Sequence, residues 1–151
     1  MNQYKKAFTL IELIVVIGII GLLASIILVF LSSAKNRGND TAKINSFSEV
    51  RKALQMYASD HVGFPDSTTT LAAKGYIQTM DPHILYSGTD SNGNICYTES
   101  CPSYHLAIPL DDPTNLVLKS DSNSKVGNID GTTKNCLPGG GLPNSCYDIV
   151  P

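Results

Sequence analysis

Residues 5–31 read KKAFTLIELIVVIGIIGLLASIILVFL. From Phe8 the run is apolar for 24 residues, with one carboxylate, Glu12, near its start. A helix of that length rises about 36 Å, enough to cross a hydrocarbon core of about 30 Å. Lys5 and Lys6 precede it, and by the positive-inside rule they hold the short leader in the cytoplasm and place the rest across the membrane. A cleaved secretory signal peptide fits poorly: Ser32-Ser33-Ala34 offers small residues, but the apolar run is longer than the usual core of such peptides and carries Glu12. An ordinary single-span anchor gains nothing from a carboxylate that costs an inserting helix about 2.5–3.5 kcal/mol at the bilayer centre and less near its end. The remaining reading gives Glu12 a partner.

Beyond the run the chain changes character. The formal charge of the 151 residues is −2, charged residues make up 16%, and no basic patch appears, so nucleic acid is not predicted as a partner. Ile44, Phe47, Val50, Leu54 and Tyr57 recur at helical spacing, with Asn45, Glu49, Arg51, Lys52 and Gln55 on the other faces. That stripe predicts a seam against a globular head. Gly63 and Pro65 in DHVGFP (60–65) end the pattern, so one helix is predicted over about 8–60. Gly18 and Gly21 would permit close helix approach, and the polar NRGNDTAK (36–43), with Gly38, is a candidate hinge or break. No proline occurs between Phe8 and Phe64, so no proline kink is expected.

Residues 66–82 read as a connecting loop with a helical turn at 71–74, and SGTDSNGN (87–94) as turns. Residues 95–98 and 104–110 suggest a hairpin, and NLVLKSD (115–121) a third strand. The last 30 residues hold too few apolar side chains for a core of their own. Cys96, Cys101, Cys136 and Cys146 suggest two disulfides outside the cytoplasm; of the three pairings, the short loops favour 96–101 and 136–146. Zinc is the weaker reading, because no CxxC or His cluster accompanies them. His61, His83 and His105 form no catalytic motif, and PGGG (138–141) lacks the residues of a phosphate loop, so no enzyme is predicted. Asn39-Asp40-Thr41 is a formal glycosylation sequon.

KKAFTLIELIVVIGIIGLLASI (5–26) resembles the N-terminus of type IV pilins and of the pseudopilins of type II secretion and competence systems. RKALQMYASDHVGFP (51–65) and YHLAIPLDDPTNLVLKSDSN (104–123) resemble, more loosely, the helix end and strand pair of the same family. The resemblance implies an α+β fold, a long N-terminal helix on an antiparallel sheet of three to four strands. It divides the chain into a leader (1–7), a membrane or filament-core half-helix (8–31), an amphipathic half-helix (32–64) and an extracytoplasmic head (65–151). It implies cleavage between Ala7 and Phe8, methylation of the Phe8 amine, and a Glu12 that guides assembly. Ala7 stands where the family more often has Gly; alanine is small, so processing is expected, slower or equal.

The partners so implied are further copies of the chain, a prepilin peptidase that also methylates, an inner-membrane assembly machinery, and minor pilins. The expected location is the inner membrane as a precursor and a cell-surface filament once assembled. A secretion or competence pseudopilin is the alternative within the family; a single-span membrane protein with a small extracytoplasmic binding head is the alternative outside it. Major pseudopilins carry calcium in the corresponding strand-loop region, and Asp121, Ser122, Asn123, Asn128 and Asp130 supply oxygens in one loop here. That loop lacks EF-hand order and contains Lys125, so the expectation is no cofactor, with a calcium loop at Asp121, Asn123 and Asp130 as the alternative.

Overall fold

The computed structural model describes residues 8–141 and 144–151, apart from the side chain of Val29. Helix α1 spans Leu10–Asp60. The chain divides into two compact units between Lys35 and Asn36. In the first, every described side chain is exposed, the large apolar ones from Phe8 at 87% to Val16 at 48%. Gly18 and Gly21 meet nothing within 4 Å of an added Cβ, so the close approach they permit is not used among the described residues.

The second unit has its own core. On α1, Phe47, Val50, Ala53, Leu54 and Tyr57 are buried, and Ile44 packs against them half-buried. They meet Leu71, Ile84 and strand β2, Ser103–Pro109. In β2 the side chains alternate: Tyr104, Leu106 and Ile108 join the α1 core, while Ala107 joins a smaller cluster with Ile129, Cys136 and Cys146. The sheet is therefore covered on both faces, and Tyr104, His105, Leu106, Ala107 and Ile108 are all buried.

The sheet order is β1-β2-β5, all antiparallel, with β1 at Leu85–Thr89 and β5 at Cys146–Ile149. Strands β3 (Lys125–Val126) and β4 (Ile129–Asp130) form a separate two-stranded ribbon. Helix α2, Thr68–Ala73, is capped by Ser67, whose hydroxyl accepts the Thr70 N–H.

Three local expectations need correction. The partner of β2 is β1, whose last three residues lie in the stretch expected to be turns (87–94), whereas Ile95 makes only an isolated bridge to Thr89. The 96–101 disulfide loop instead turns towards Phe64, which bridges Cys101. The expected strand at 115–121 is a 3-10 helix, Leu116–Ser120, because the Asn115 side chain accepts the Val117 N–H and the Leu118 N–H turns back to the Asn115 carbonyl. The third strand is β5, drawn from the loop-rich C-terminus.

Nor does the helix break at 36–43. Asp40 is fully buried, and its carboxylate accepts the N–H groups of Asp111 (2.6 Å) and Asp112 (3.0 Å) and the Asn115 amide (3.3 Å). Lys43 Nζ lies 2.7 Å from Asp111 Oδ1, and Arg37 Nε 3.6 Å from Asp112 Oδ2. The polar residues that suggested a break thus clamp the loop after β2 onto α1.

Candidate functional site

The site begins at the first turn of α1. Thr9 is non-helical and precedes Leu10, the first helical residue. Its hydroxyl accepts the Glu12 N–H at 3.3 Å, and Glu12 Oε2 accepts the Thr9 N–H at 2.9 Å and the Thr9 hydroxyl at 2.8 Å. This reciprocal pattern is a capping box, in which an N-cap threonine and a glutamate three residues on satisfy orphan helix donors. The signature T-x-x-E is legible in TLIE (9–12), provided the helix is started at Leu10 rather than Phe8.

Within the chain, then, Glu12 is not an isolated charge. It offsets part of its cost by closing a helix end whose dipole favours an anion. Among the described residues its second oxygen, Oε1, takes no hydrogen bond, and Phe8, Ile11, Glu12, Val15 and Val16 line a shallow hollow. Phe8 is 87% exposed, and Ala7 lies outside the described residues.

The cysteines form two disulfides, Cys96–Cys101 and Cys136–Cys146. Around the first, Phe64 and Cys101 exchange both backbone hydrogen bonds, at 2.7 and 2.8 Å, and the Tyr57 hydroxyl donates to the Glu99 carbonyl at 3.0 Å. Gly63 is needed there: its φ is +101°, and an added Cβ would lie 2.6 Å from the Cys101 carbonyl oxygen. The second disulfide is part of the cluster beneath the outer face of the sheet.

The calcium candidates are engaged one by one. Asp130 Oδ1 accepts from the Thr132 N–H and hydroxyl, and its Oδ2 lies 3.0 Å from Lys125 Nζ. Asn123 Oδ1 accepts from Asn144 and its amide donates to Asp121 Oδ1. Only Asp121 Oδ2, of these, is buried without a partner. Burial foremost, then the Asp148 charge, pushes the Asp121 carboxyl up. Among the described residues no group of three or more His, Cys, Asp or Glu is gathered.

The histidines do not converge either. His61 stacks on Tyr57, His83 contacts Asp81 at 2.8 Å, and His105 is fully buried with Nε2 2.8 Å from Asp148 Oδ2. Asp148 also accepts the Asn123 and Ser124 N–H groups, so it fastens the loop before β3 to β5. Neither this role nor that of Asp40 is visible in sequence, because both depend on partners far along the chain. The Asn39 amide of the sequon donates to Asp111 from within α1.

Comparison with known proteins agrees with this arrangement. The family described as the prokaryotic N-terminal methylation motif matches residues 2–28. The chain is 30% identical over 89 residues to the type IV wide pilus major component PilA4 of Thermus thermophilus, covering 59% of this chain and 67% of that protein. It is 31% identical over 81 residues to the type II secretion system core protein G of Klebsiella pneumoniae, 54% of this chain and 58% of that one. With the fimbrial protein EcpC of Eikenella corrodens it shares 30% identity over 154 aligned residues, 99% of this chain and 95% of its relative. No solved structure matches. The methylation motif lies across the capped start of an apolar helix, and the similarity then runs through the head: the chain belongs to the type IV pilin and pseudopilin family and is a pilin-like filament subunit.

Proposed function

We propose that the protein is made as an inner-membrane precursor, cut between Ala7 and Phe8, methylated on the new Phe8 amine, and built into a cell-surface type IV pilus in which Glu12 meets the Phe8 ammonium of a neighbouring copy. The observation that carries this reading is the contrast within α1. Its first unit exposes apolar side chains on every side, and the single carboxylate among them has one oxygen, Oε1, that takes no hydrogen bond among the described residues. Cleavage creates a cation four residues before Glu12 in sequence, and methylation keeps its charge. In a staggered stack of helices the pair sets register as well as satisfying a buried charge. Contacts between successive copies are heterologous and do not close, which lets a filament grow.

The head stays outside the cytoplasm, where disulfides persist. Its role is structural rather than catalytic, and no cofactor is involved; the engaged oxygens of Asn123 and Asp130 support that. The partners are further copies, the processing peptidase, the membrane assembly machinery and minor pilins. A second reading, the same subunit in a type II secretion or competence pseudopilus, is favoured by the similarity to core protein G. The near full-length similarity to a fimbrial protein favours the pilus.

The test is Glu12→Ala in cells that assemble the wild-type filament. Cleavage should proceed as before, and sheared filament yield should fall to background. A normal yield from Glu12→Ala would show that Glu12 is not the pairing group.

A further inference from the structure

The two disulfides differ in three ways that bear on their reactivity. Cys101, Cys136 and Cys146 are fully buried, whereas Cys96 is partly exposed, so among the described residues the 96–101 bond is the one with a cysteine open to a reagent in solution. Its cysteines are 5 residues apart against 10 for the other pair, and a shorter loop gains less from closure. The surroundings also suit the opened form. Thr98 Oγ1 lies 3.3 Å from Cys96 Sγ and the Thr98 carbonyl oxygen 3.1 Å from Cys101 Sγ, so each thiol formed on reduction meets an oxygen acceptor.

The bond also has something to release. Cys101 holds Phe64 through two backbone hydrogen bonds, Glu99 takes the Tyr57 hydroxyl, and Lys74 Nζ pairs with Glu99 Oε2 at 2.9 Å. Gly88 passes so close that an added Cβ would sit 2.8 Å from Cys101 Sγ. The loop 96–101 therefore ties the C-terminal end of α1 and the residues after it to β1.

We propose that Cys96–Cys101 is a redox-sensitive clasp at the end of α1, opened by dithiols while Cys136–Cys146 stays closed. A thiolate of the dithiol attacks Cys96 Sγ, and the Cys101 sulfur leaves as a thiolate that takes a proton. The second thiolate of the reagent then attacks the mixed disulfide and releases Cys96 as a thiol. Two electrons pass to the protein and the dithiol becomes a disulfide. Opening frees loop 96–101 and with it the Phe64–Cys101 bridge.

The full chain in detergent micelles, titrated with dithiothreitol and trapped with N-ethylmaleimide, tests this by peptide mapping. Cys96 and Cys101 should be labelled about tenfold or more faster than Cys136 and Cys146. At that stage hydrogen exchange at the Phe64 and Cys101 amides should rise, with the β2 amides of Leu106 and Ile108 still protected. Joint labelling of the two pairs, prior labelling of Cys136–Cys146, or unchanged exchange at Phe64 after Cys96 is labelled would each overturn the proposal. The double variant Cys96→Ser/Cys101→Ser should show the raised Phe64 exchange without reductant; wild-type protection in that variant would also overturn it.

Discussion

One helix carries both halves of this molecule, yet its leucines do different things. Leu22 in the first unit is 65% exposed, whereas Leu54 in the second is fully buried against β2. Helical periodicity is satisfied in both places, so the backbone alone does not distinguish them. The difference lies in what each face has to pack on. The second half is amphipathic and finds a sheet in its own chain. The first is apolar all round and stays exposed among the described residues, which is what a segment bound for a membrane or a bundle of copies requires.

The same truncation made in both halves of the helix should have unequal effects. Leu54→Ala should destabilise the head by about 2–5 kcal/mol, read by chemical denaturation, because it opens a cavity in a closed core. Leu22→Ala should change head stability by less than about 0.5 kcal/mol, with its effect confined to filament stability. Equal effects on the head would mean that the two units are not separate.

A sequence reading recovers much of this contrast, for physical reasons. The stripe of Ile44, Phe47, Val50, Leu54 and Tyr57 is strictly periodic and local, and those side chains do form the seam. Elements that depend on distant partners are not legible in the same way. NLVLKSD has the apolar, β-branched look of a strand, but Asn115 accepts from its own backbone and from there donates to Asp40, 75 residues away. Strand β5 has four residues behind a Gly- and Pro-rich loop, and only its pairing with β2 makes it a strand. At the assembly end, Phe8 and Glu12 stand out by motif, while the capping role of Thr9 needs the helix start to be placed.

Asp40 tests the same division from the polar side. Asp40→Ala leaves two backbone N–H groups and the Asn115 amide without their acceptor, so it should cost the head about 2–3 kcal/mol, measured by the same unfolding transition. A loss near zero would make the clamp incidental.

The smallest effect concerns acid. A hydrogen bond from Lys43, aided by one from Asn39, holds the Asp111 carboxyl below its ordinary range, although partial burial opposes it. A depressed carboxyl contributes stability above its unfolded value of about 4 and loses it as pH falls through the folded value. Lys43→Ala should therefore flatten the acid limb of head stability, by less than about 1 kcal/mol because Asp111 is partly exposed to water. An unchanged pH profile would mean that the pair carries none of it.

On our proposal, the apolar helix waits in the membrane as a precursor and enters a polymer after cleavage creates the charge that Glu12 meets. Intact mass of the membrane-extracted protein tests this most directly. The expected species lacks residues 1–7 and carries a methyl group on the Phe8 amine. A chain that keeps its leader in cells with an active processing peptidase would contradict the account.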